Sequence, residues 1–305
     1  MRTAVKDGLS DPRTQVSPLR SALASQAAFW PEIRVELGGM EPGWTTAEAF
    51  FANDTVIEEF LDYEGSFNAG TDRKACGSLM MTDYAYVFAL ATVPAFLGFA
   101  ILPDLSPSRF ALQFHTTQDE HDGHTHEVRR AHVRYLSGGF CTSRKDHAAH
   151  PDGRGPMTHN QIADAFCTAV KAHFEPLIEQ LHARTKLSRN AFWRLVADAL
   201  AGWFIEAGRR LGCLEAAKAS AMAVLKRPGS PLNNRQLHYF DLSVCDRAGQ
   251  PFSHTFRGRG GCCRFYTVEG GEYCSTCVLK DPRQRDDDLR QAMRRHLGLT
   301  GAEIA

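Results

Sequence analysis

Residues 261–277 have the sequence GCCRFYTVEGGEYCSTC, which holds four of the nine cysteines of this 305-residue chain. Two of these cysteines are adjacent, ten residues follow, and a Cys-x-x-Cys pair ends the stretch. The aromatic and β-branched residues between the pairs predict two short strands, and Gly270 and Gly271 predict the tight turn that joins them. Such a β-hairpin would gather four thiols in one small volume, where a metal centre or disulfides would hold them. The candidate ligands are Cys262, Cys263, Cys274 and Cys277.

The composition is typical of a soluble globular protein, with 43% apolar and 23% charged residues. A chain of this kind can bury a substantial core, and its length predicts one large domain or two ordinary ones. Lysine plus arginine number 35, and aspartate plus glutamate also number 35. This balance gives no general reason to expect nucleic acid as a partner.

The cysteines are expected to be reduced thiols. Charged side chains are spread through residues 1–25, which contain no apolar core segment, so we expect no signal peptide and a cytoplasmic location. In the cytoplasm, clustered cysteines are more often metal ligands or catalytic groups than disulfides. The other five cysteines are interpreted as small buried side chains. They are Cys76, Cys141, Cys167, Cys213 and Cys245.

Residues 84–102 form an uncharged run of nineteen residues, close to the length that spans a bilayer. Pro94 and Gly98 interrupt the run, and no cluster of lysine or arginine flanks it as at the cytoplasmic end of a membrane span. We therefore predict a buried core helix, broken near Pro94 and ended by Pro103, and no transmembrane helix. Loose association with a membrane surface is compatible with this interpretation.

The remaining pattern predicts an α+β fold. Most of the chain has apolar residues at helical spacing, and shorter stretches have large apolar residues alternating with mostly polar ones, as in strands. A stretch rich in proline and asparagine at residues 228–234 predicts a domain boundary. We expect a mainly helical N-terminal domain with a β-hairpin at residues 1–235, of which residues 1–40 are loosely organised. A small β-rich module with a C-terminal helix is expected at residues 236–305. Predicted helices cover residues 21–30, 45–64, 74–103, 158–181, 188–208, 214–226 and 286–299, and predicted strands cover residues 109–115, 126–136 and 236–245.

The turn of the first hairpin is rich in histidine. It contains His121, His124 and His126, with His115 and His132 nearby. Histidine clusters can bind metal, but the mixture with acidic residues around a glycine favours a solvated hairpin tip. The role of this loop is left open.

The chemistry of the four clustered cysteines favours one kind of centre over two others. Zinc sites often combine two Cys-x-x-Cys pairs about 15–20 residues apart, whereas here one pair is vicinal and the gap is ten. Neighbouring side chains on a strand point to opposite faces, so two adjacent thiolates fit one ion poorly. A [2Fe–2S] cluster takes four thiolates and is a larger object. Iron–sulfur therefore ranks first, zinc second, and a disulfide or redox pair third.

The spacing Cys-Cys-x10-Cys-x2-Cys resembles the C-terminal iron–sulfur signature of the FhuF-like ferric-siderophore reductases. The arginines before the vicinal pair and the aromatic Phe265 and Tyr266 after it share in this resemblance. Residues 173–178 and 188–193 are similar to the helical region of the same family. Gly260 and Gly261 before the cysteines, and Val278 where a proline is common, differ from the usual pattern.

The resemblance implies a cytoplasmic ferric-siderophore reductase that contains a [2Fe–2S] cluster. Such an enzyme reduces the ferric iron of a siderophore to ferrous iron by one-electron transfer and so releases the iron. A reduced ferredoxin or a flavin reductase would be the electron donor. Arg257, Arg259 and Arg264 are candidates to bind an anionic siderophore, to dock an acidic donor or to tune the cluster, and no catalytic residue is assigned.

Two other functions stay open on sequence grounds. The first is a zinc-stabilised module that binds a siderophore or a protein without redox activity. The second is an iron–sulfur redox sensor, for which the chain shows no DNA-binding motif.

Overall fold

The computed structural model describes residues 16–31, 34–67, 69–121 and 124–299. It is 52% helical and 17% strand, which confirms the predicted α+β class. The helices are α1 (Pro18–Phe29), α2 (Ala47–Phe51), α3 (Asp54–Ser66), α4 (Arg73–Phe99), α5 (Lys145–Ala148), α6 (His159–Thr185), α7 (Arg189–Arg210), α8 (Leu214–Leu225) and α9 (Pro282–His296). The strands are β1 (Val35–Leu37), β2 (Thr45–Thr46), β3 (Ile101–Pro103), β4 (Phe110–His121), β5 (His124–Tyr135), β6 (Phe140–Thr142), β7 (Gly153–Arg154), β8 (His238–Cys245) and β9 (Pro251–Gly258).

Helix α4 forms the centre of the main hydrophobic core and packs against α1, α3, α6, α7 and β5. Within the described part of the chain, it is the one helix whose length and composition would allow it to cross a membrane, and 78% of its most apolar window is buried inside the protein. The prediction of a buried core helix is therefore confirmed. The predicted break near Pro94 is wrong, because α4 continues through Pro94 and ends at Phe99 with Ala100 in the left-handed conformation.

A side chain from α1 explains why α4 tolerates Pro94. Proline has no N–H for the carbonyl four residues earlier, which here belongs to Leu90. The buried Gln26 Nε2 donates to Leu90 O at 2.9 Å. Tyr135 Oη donates to the next carbonyl, Ala91 O, at 3.0 Å. Donors from α1 and β5 thus bond to carbonyls beside the proline.

Replacing Gln26 by leucine is expected to leave the Leu90 carbonyl buried without its donor. The free energy of unfolding should fall by about 1–3 kcal/mol. The same substitution should cost much less in a Pro94→Ala background, because alanine restores a backbone N–H at that position. Urea unfolding of the four proteins in this double-mutant cycle measures the coupling. Equal costs in the two backgrounds would contradict the pairing.

The predicted β-hairpin is confirmed and is longer than expected. Strands β4 and β5 pair antiparallel from Phe110 opposite Tyr135 to His121 opposite His124. Strand β1 adds to β5 in parallel, and β2 adds to β4 antiparallel. Asp122, Gly123 and the side chains of residues 119–126 lie outside the described residues, so the predictions for His121, His124 and His126 stay untested.

Helix α6 contributes His173, a fully buried histidine whose two ring nitrogens both have partners. Its Nε2 lies 2.7 Å from Tyr84 Oη, and its Nδ1 lies 2.7 Å from Leu105 O. Burial lowers the pKa of His173 to about 4. The ring is therefore neutral at physiological pH and joins α4, α6 and the chain after β3.

A buried carboxyl group lies between α3 and the hairpin. Glu64 is 6% exposed, and it lines a small cavity with Asp83, Arg129 and Arg130. Burial, with the nearby Asp83 carboxylate as the second cause, raises the pKa of Glu64 from 4.5 to about 8. At neutral pH, the folded protein therefore keeps a proton that the unfolded chain has lost.

The proton on Glu64 predicts a loss of stability as pH rises from about 4.5 to about 8. Because the folded state binds more protons than the unfolded state in that window, the Glu64 contribution to stability falls as pH rises. Glu64→Gln should remove this contribution, which is about 1.4 kcal/mol for each pH unit inside the window, and leave the smaller contribution of Asp83, whose pKa burial also raises. Urea unfolding at pH 5 and pH 8 tests it, with Glu59→Gln on the exposed face of α3 as the matched control. A slope in Glu64→Gln equal to that of the wild type would contradict the assignment.

The chain after α8 packs on the helical core and then forms a smaller layer. Leu232 and Leu237, at 0% and 1% exposure, belong to the main core. Strands β8 and β9 then pair antiparallel, and α9 packs on β8 through a second apolar cluster. This cluster contains Leu242, Val244, Leu289 and Met293. The predicted strand and C-terminal helix of this region are confirmed, and the cysteine segment lies between β9 and α9.

Candidate functional site

The cysteine segment is a compact loop, not the predicted β-hairpin. Residues 259–281 contain no strand, and Phe265–Thr267 form a single 3₁₀ turn. The predicted turn at Gly270 and Gly271 exists, with Gly270 at φ +73° and Gly271 N donating to Val268 O at 3.0 Å. The strand prediction from the aromatic run is wrong, because the chain reverses direction at Arg264 before an extended segment can form.

Arg264 sets the shape of the loop directly after the vicinal pair. Its backbone lies in the left-handed region, at φ +62°, a conformation that costs a non-glycine residue roughly 1–2 kcal/mol. This geometry points Arg264 N at Cys262 Sγ, 3.4 Å away. It also lets Thr267 N donate back to Arg264 O at 2.8 Å. The turn therefore presents a backbone donor to one candidate ligand sulfur.

The four clustered cysteines line one narrow cavity of about 10 Å³, here called the cysteine cavity. All four are free thiols, and Cys277 is the most buried of them, at 5% exposure. In the described ranges, no three cysteine, histidine, aspartate or glutamate side chains are grouped to hold a single metal ion. The four thiols thus line the same cavity without converging on one point. The fold brings the predicted ligands together although the predicted strands are absent.

The donor set and its surroundings fit an iron–sulfur cluster. Burial raises the pKa of the Cys262 and Cys274 thiols, so both resist ionisation until a cation is bound. Arg259 Nη1 lies 3.4 Å from Cys274 Sγ and favours the thiolate there. Four cysteines are the usual ligands of a [2Fe–2S] cluster, and hydrogen bonds to the sulfurs tune its potential.

A buried carboxylate on α7 binds the segment that precedes the cysteines. Asp198 is 2% exposed. Its two carboxylate oxygens accept from the backbone N–H groups of Gly260 and Gly261, each at 2.8 Å. Arg259 Nε lies 3.4 Å from the same side chain, and Arg257 donates to the backbone carbonyl of Asp198. One carboxylate thus fixes the loop and holds the arginine that contacts Cys274.

The glycines before the cysteines allow close contacts with two neighbouring parts of the chain. A Cβ on Gly261 would lie 3.0 Å from the α7 backbone at Arg194 and Leu195, and one on Gly260 would lie 2.1 Å from Oδ1 of Asn234, in the segment between α8 and β8. A residue without a side chain lets the loop approach both this closely. The glycines therefore serve the contact that positions Cys262.

Two further contacts join the loop to the start of α4. Ser78 Oγ donates to Cys263 O at 2.6 Å. Arg264 Nη2 lies 2.9 Å from Asp72, whose carboxylate also caps α4 by accepting from Ala75 N. The cysteine loop is thus held by two of the long helices of the core, α4 and α7.

The three predicted substrate arginines have different positions. Arg257 and Arg259 are tied to Asp198 on α7, while Arg264 pairs with Asp72 on α4. The role of Asp198 in holding the loop was not predicted, although an acidic residue inside the apolar run 195–201 could have indicated it. The contact of Ser78 with the loop was not predicted either, and the sequence offers no signal for it.

A pocket of about 350 Å³, here called the α7 pocket, opens beside the cysteine cavity. The first turns of α7 form one wall, through Ser188 and Arg194, and Cys262 and Arg264 form another. Cys262 lines both the α7 pocket and the cysteine cavity. A molecule in this pocket would therefore be separated from the cavity by one residue.

Four cysteines line one cavity beside an open pocket, an arrangement typical of an iron–sulfur protein. Residues 259–279 match the family model of the FhuF 2Fe-2S C-terminal domain. This match confirms the resemblance found in the sequence and supports a [2Fe–2S] cluster as the cofactor. The match does not favour the zinc alternative. No curated protein and no solved structure matches the chain.

Proposed function

We propose that this protein is a ferric-siderophore reductase of the cytoplasm. It accepts one electron from a donor and passes it to the ferric ion of a siderophore complex, which becomes ferrous and leaves the ligand. The donor is oxidised by one electron, and no covalent bond of the siderophore breaks. A reduced ferredoxin or a flavin reductase is the proposed donor.

The observation that carries this proposal is the FhuF-type cysteine cavity at residues 259–279, beside an open pocket. When bound, the [2Fe–2S] cluster supplies one-electron redox chemistry at potentials that reach about −400 mV in some ferredoxins. Cys262, Cys263, Cys274 and Cys277 would hold it. Siderophores bind ferric iron far more tightly than ferrous iron, so a single electron is enough to release the metal.

The surrounding residues have supporting roles in this proposal. Arg259 donates to Cys274 Sγ, and Arg264 N donates to Cys262 Sγ. Hydrogen bonds to sulfur stabilise the more negative, reduced state and therefore raise the potential. A tenfold change in a one-electron equilibrium takes about 59 mV, so these contacts help to determine which ferric complexes can be reduced.

The proposed division of the chain follows from these roles. Residues 236–305 form the cluster-binding module, and residues 1–235 form the part that binds the siderophore. The contacts of the cysteine loop with α4 and α7 support close coupling between the two parts.

The test is a single-turnover reduction under anaerobic conditions. Chemically reduced protein is mixed with ferric complexes of hydroxamate, catecholate and carboxylate siderophores, and a ferrous chelator traps the product. We expect the visible absorption of the cluster to return to its oxidised form as ferrous iron appears, one iron for each electron. A cluster that stays reduced with all three classes would contradict the proposed function.

A further inference from the structure

We propose that the α7 pocket binds an anionic iron-chelating group, of carboxylate or catecholate type, and so selects negatively charged ferric complexes over neutral ones. This inference rests on the proposed function, and it adds the place and the charge class of the substrate. Its evidence is the position of the pocket, its charge and the conformation of one of its arginines.

Position is the first argument. Cys262 lines both the pocket and the cysteine cavity, so a ligand there would be next to a cluster ligand. The pocket volume of about 350 Å³ lies at the low end of small-molecule sites. It can take one chelating arm of a siderophore but not a whole large complex. It is also concave, as small-molecule sites usually are.

Charge is the second argument. The residues that line the pocket include Arg194 and Arg264 and no aspartate or glutamate. Arg194 Nη1 donates to two neutral acceptors, Gln236 Oε1 at 2.9 Å and Gly260 O at 3.4 Å. The Arg264 charge is partly balanced by Asp72 from outside the lining. The pocket therefore keeps a net positive lining, which favours an anion. A carboxylate or catecholate oxygen is an acceptor that a guanidinium binds well.

The backbone conformation of Arg264 is the third observation. Its φ of +62° is a conformation that glycine adopts freely and arginine does not. An arginine at such a position carries a conformational cost that glycine would avoid. Strained residues of this kind cluster at functional sites. We therefore expect the Arg264 side chain to have a function at this position, where it pairs with Asp72 and lines the α7 pocket.

A neighbouring pocket of about 370 Å³ between α4 and α7 is a weaker candidate for the same ligand. Its lining contains Asp198 and Glu206 beside its arginines. Asp198 holds Arg259 and the cysteine loop, so those positive charges are already used. An anion gains less there than in the α7 pocket.

Gallium(III) complexes allow binding to be measured without reduction, because gallium(III) resembles ferric iron in charge and size and is not reduced under these conditions. Titration calorimetry of the oxidised, cluster-loaded protein would compare a trianionic gallium tris-catecholate with a neutral gallium tris-hydroxamate. We expect the anionic complex to bind more tightly. Arg194→Gln should weaken its binding about tenfold, and Arg194→Lys should recover part of the loss.

The control is Arg189→Gln, which removes an arginine from the same helix outside the pocket lining; Arg189 pairs with Glu179. Cluster absorption verifies that each variant is loaded. Unchanged binding in Arg194→Gln, equal losses in Arg189→Gln, or no binding of the anionic complex to the wild type would each overturn the pocket assignment. The pocket assignment would also be overturned if Arg194→Gln slowed only the reduction of the protein by an acidic protein donor and left the binding of the gallium complex unchanged.

The two proposals can fail separately. Tight, Arg194-dependent binding of the gallium complex together with no reduction of the iron complex would reject the reductase and keep the pocket. Normal reduction with Arg194-independent binding would reject the pocket and keep the reductase.

Discussion

Alanine in place of Cys263 is expected to abolish cluster binding and, with it, all reduction of ferric complexes. Cys263 is one of four thiols around the cysteine cavity, and a [2Fe–2S] cluster needs four ligands. Alanine offers no donor atom, whereas serine could supply an oxygen. Iron and inorganic sulfide should fall to a small fraction of the wild-type content, and the visible absorption should disappear.

The helical core should survive this substitution. Cys263 lies outside the main hydrophobic core, so far-UV circular dichroism should change little. Cys245→Ala is the matched control, because Cys245 is an exposed cysteine of the same C-terminal region outside the cavity. Full iron and sulfide content in Cys263→Ala, or equal losses in both variants, would contradict the ligand assignment.

Removing the Asp198 carboxylate is expected to give the second large effect. In Asp198→Ala, the N–H groups of Gly260 and Gly261 lose their acceptor, and Arg259 loses its buried counter-charge. Breaking a buried ion pair by removing one partner typically costs 3–5 kcal/mol. We expect a loss of about this size in the free energy of unfolding, together with poor cluster retention.

Asp198→Asn separates the two roles of this carboxylate. Asparagine keeps one oxygen acceptor but removes the charge opposite Arg259, so the loop should be less damaged than with alanine. The midpoint potential of the loaded protein should then shift, because Arg259 also contacts Cys274 Sγ. Spectroelectrochemical titration measures that potential. Glu206→Gln on α7 is the control, since Glu206 forms a partly exposed pair with Arg210, and such pairs contribute about 0–1 kcal/mol.

An unchanged midpoint potential in Asp198→Asn, with normal stability, would show that Asp198 does not position Arg259. A shift of the same size in Glu206→Gln would show that the effect is one of general charge. Either result would contradict the proposed role of Asp198 in the site.

The sequence was sufficient for the features that depend on local pattern. Helical spacing predicted the core helices, and alternation predicted the β4–β5 hairpin. The predicted start of the helix at residues 188–208 is confirmed, because the Ser188 side chain caps α7 by accepting from Ala191 N. The cysteine spacing predicted that the four thiols lie close together, and they line one cavity.

The sequence failed where distant residues decide the local structure. Pro94 predicted a break in α4, but Gln26, 68 residues earlier in the chain, bonds the carbonyl that the proline leaves free. The aromatic run after the vicinal cysteines predicted strands, but anchoring by Asp198 and Ser78 and the left-handed Arg264 favour a compact turn. Contacts of this kind depend on the folded packing and leave little trace in a single sequence.

The metal content of the protein purified without oxygen tests the [2Fe–2S] assignment most directly. We expect roughly two iron and two inorganic sulfide per chain, with a visible absorption spectrum that bleaches on one-electron reduction. A colourless protein that contains one zinc and no inorganic sulfide would contradict it.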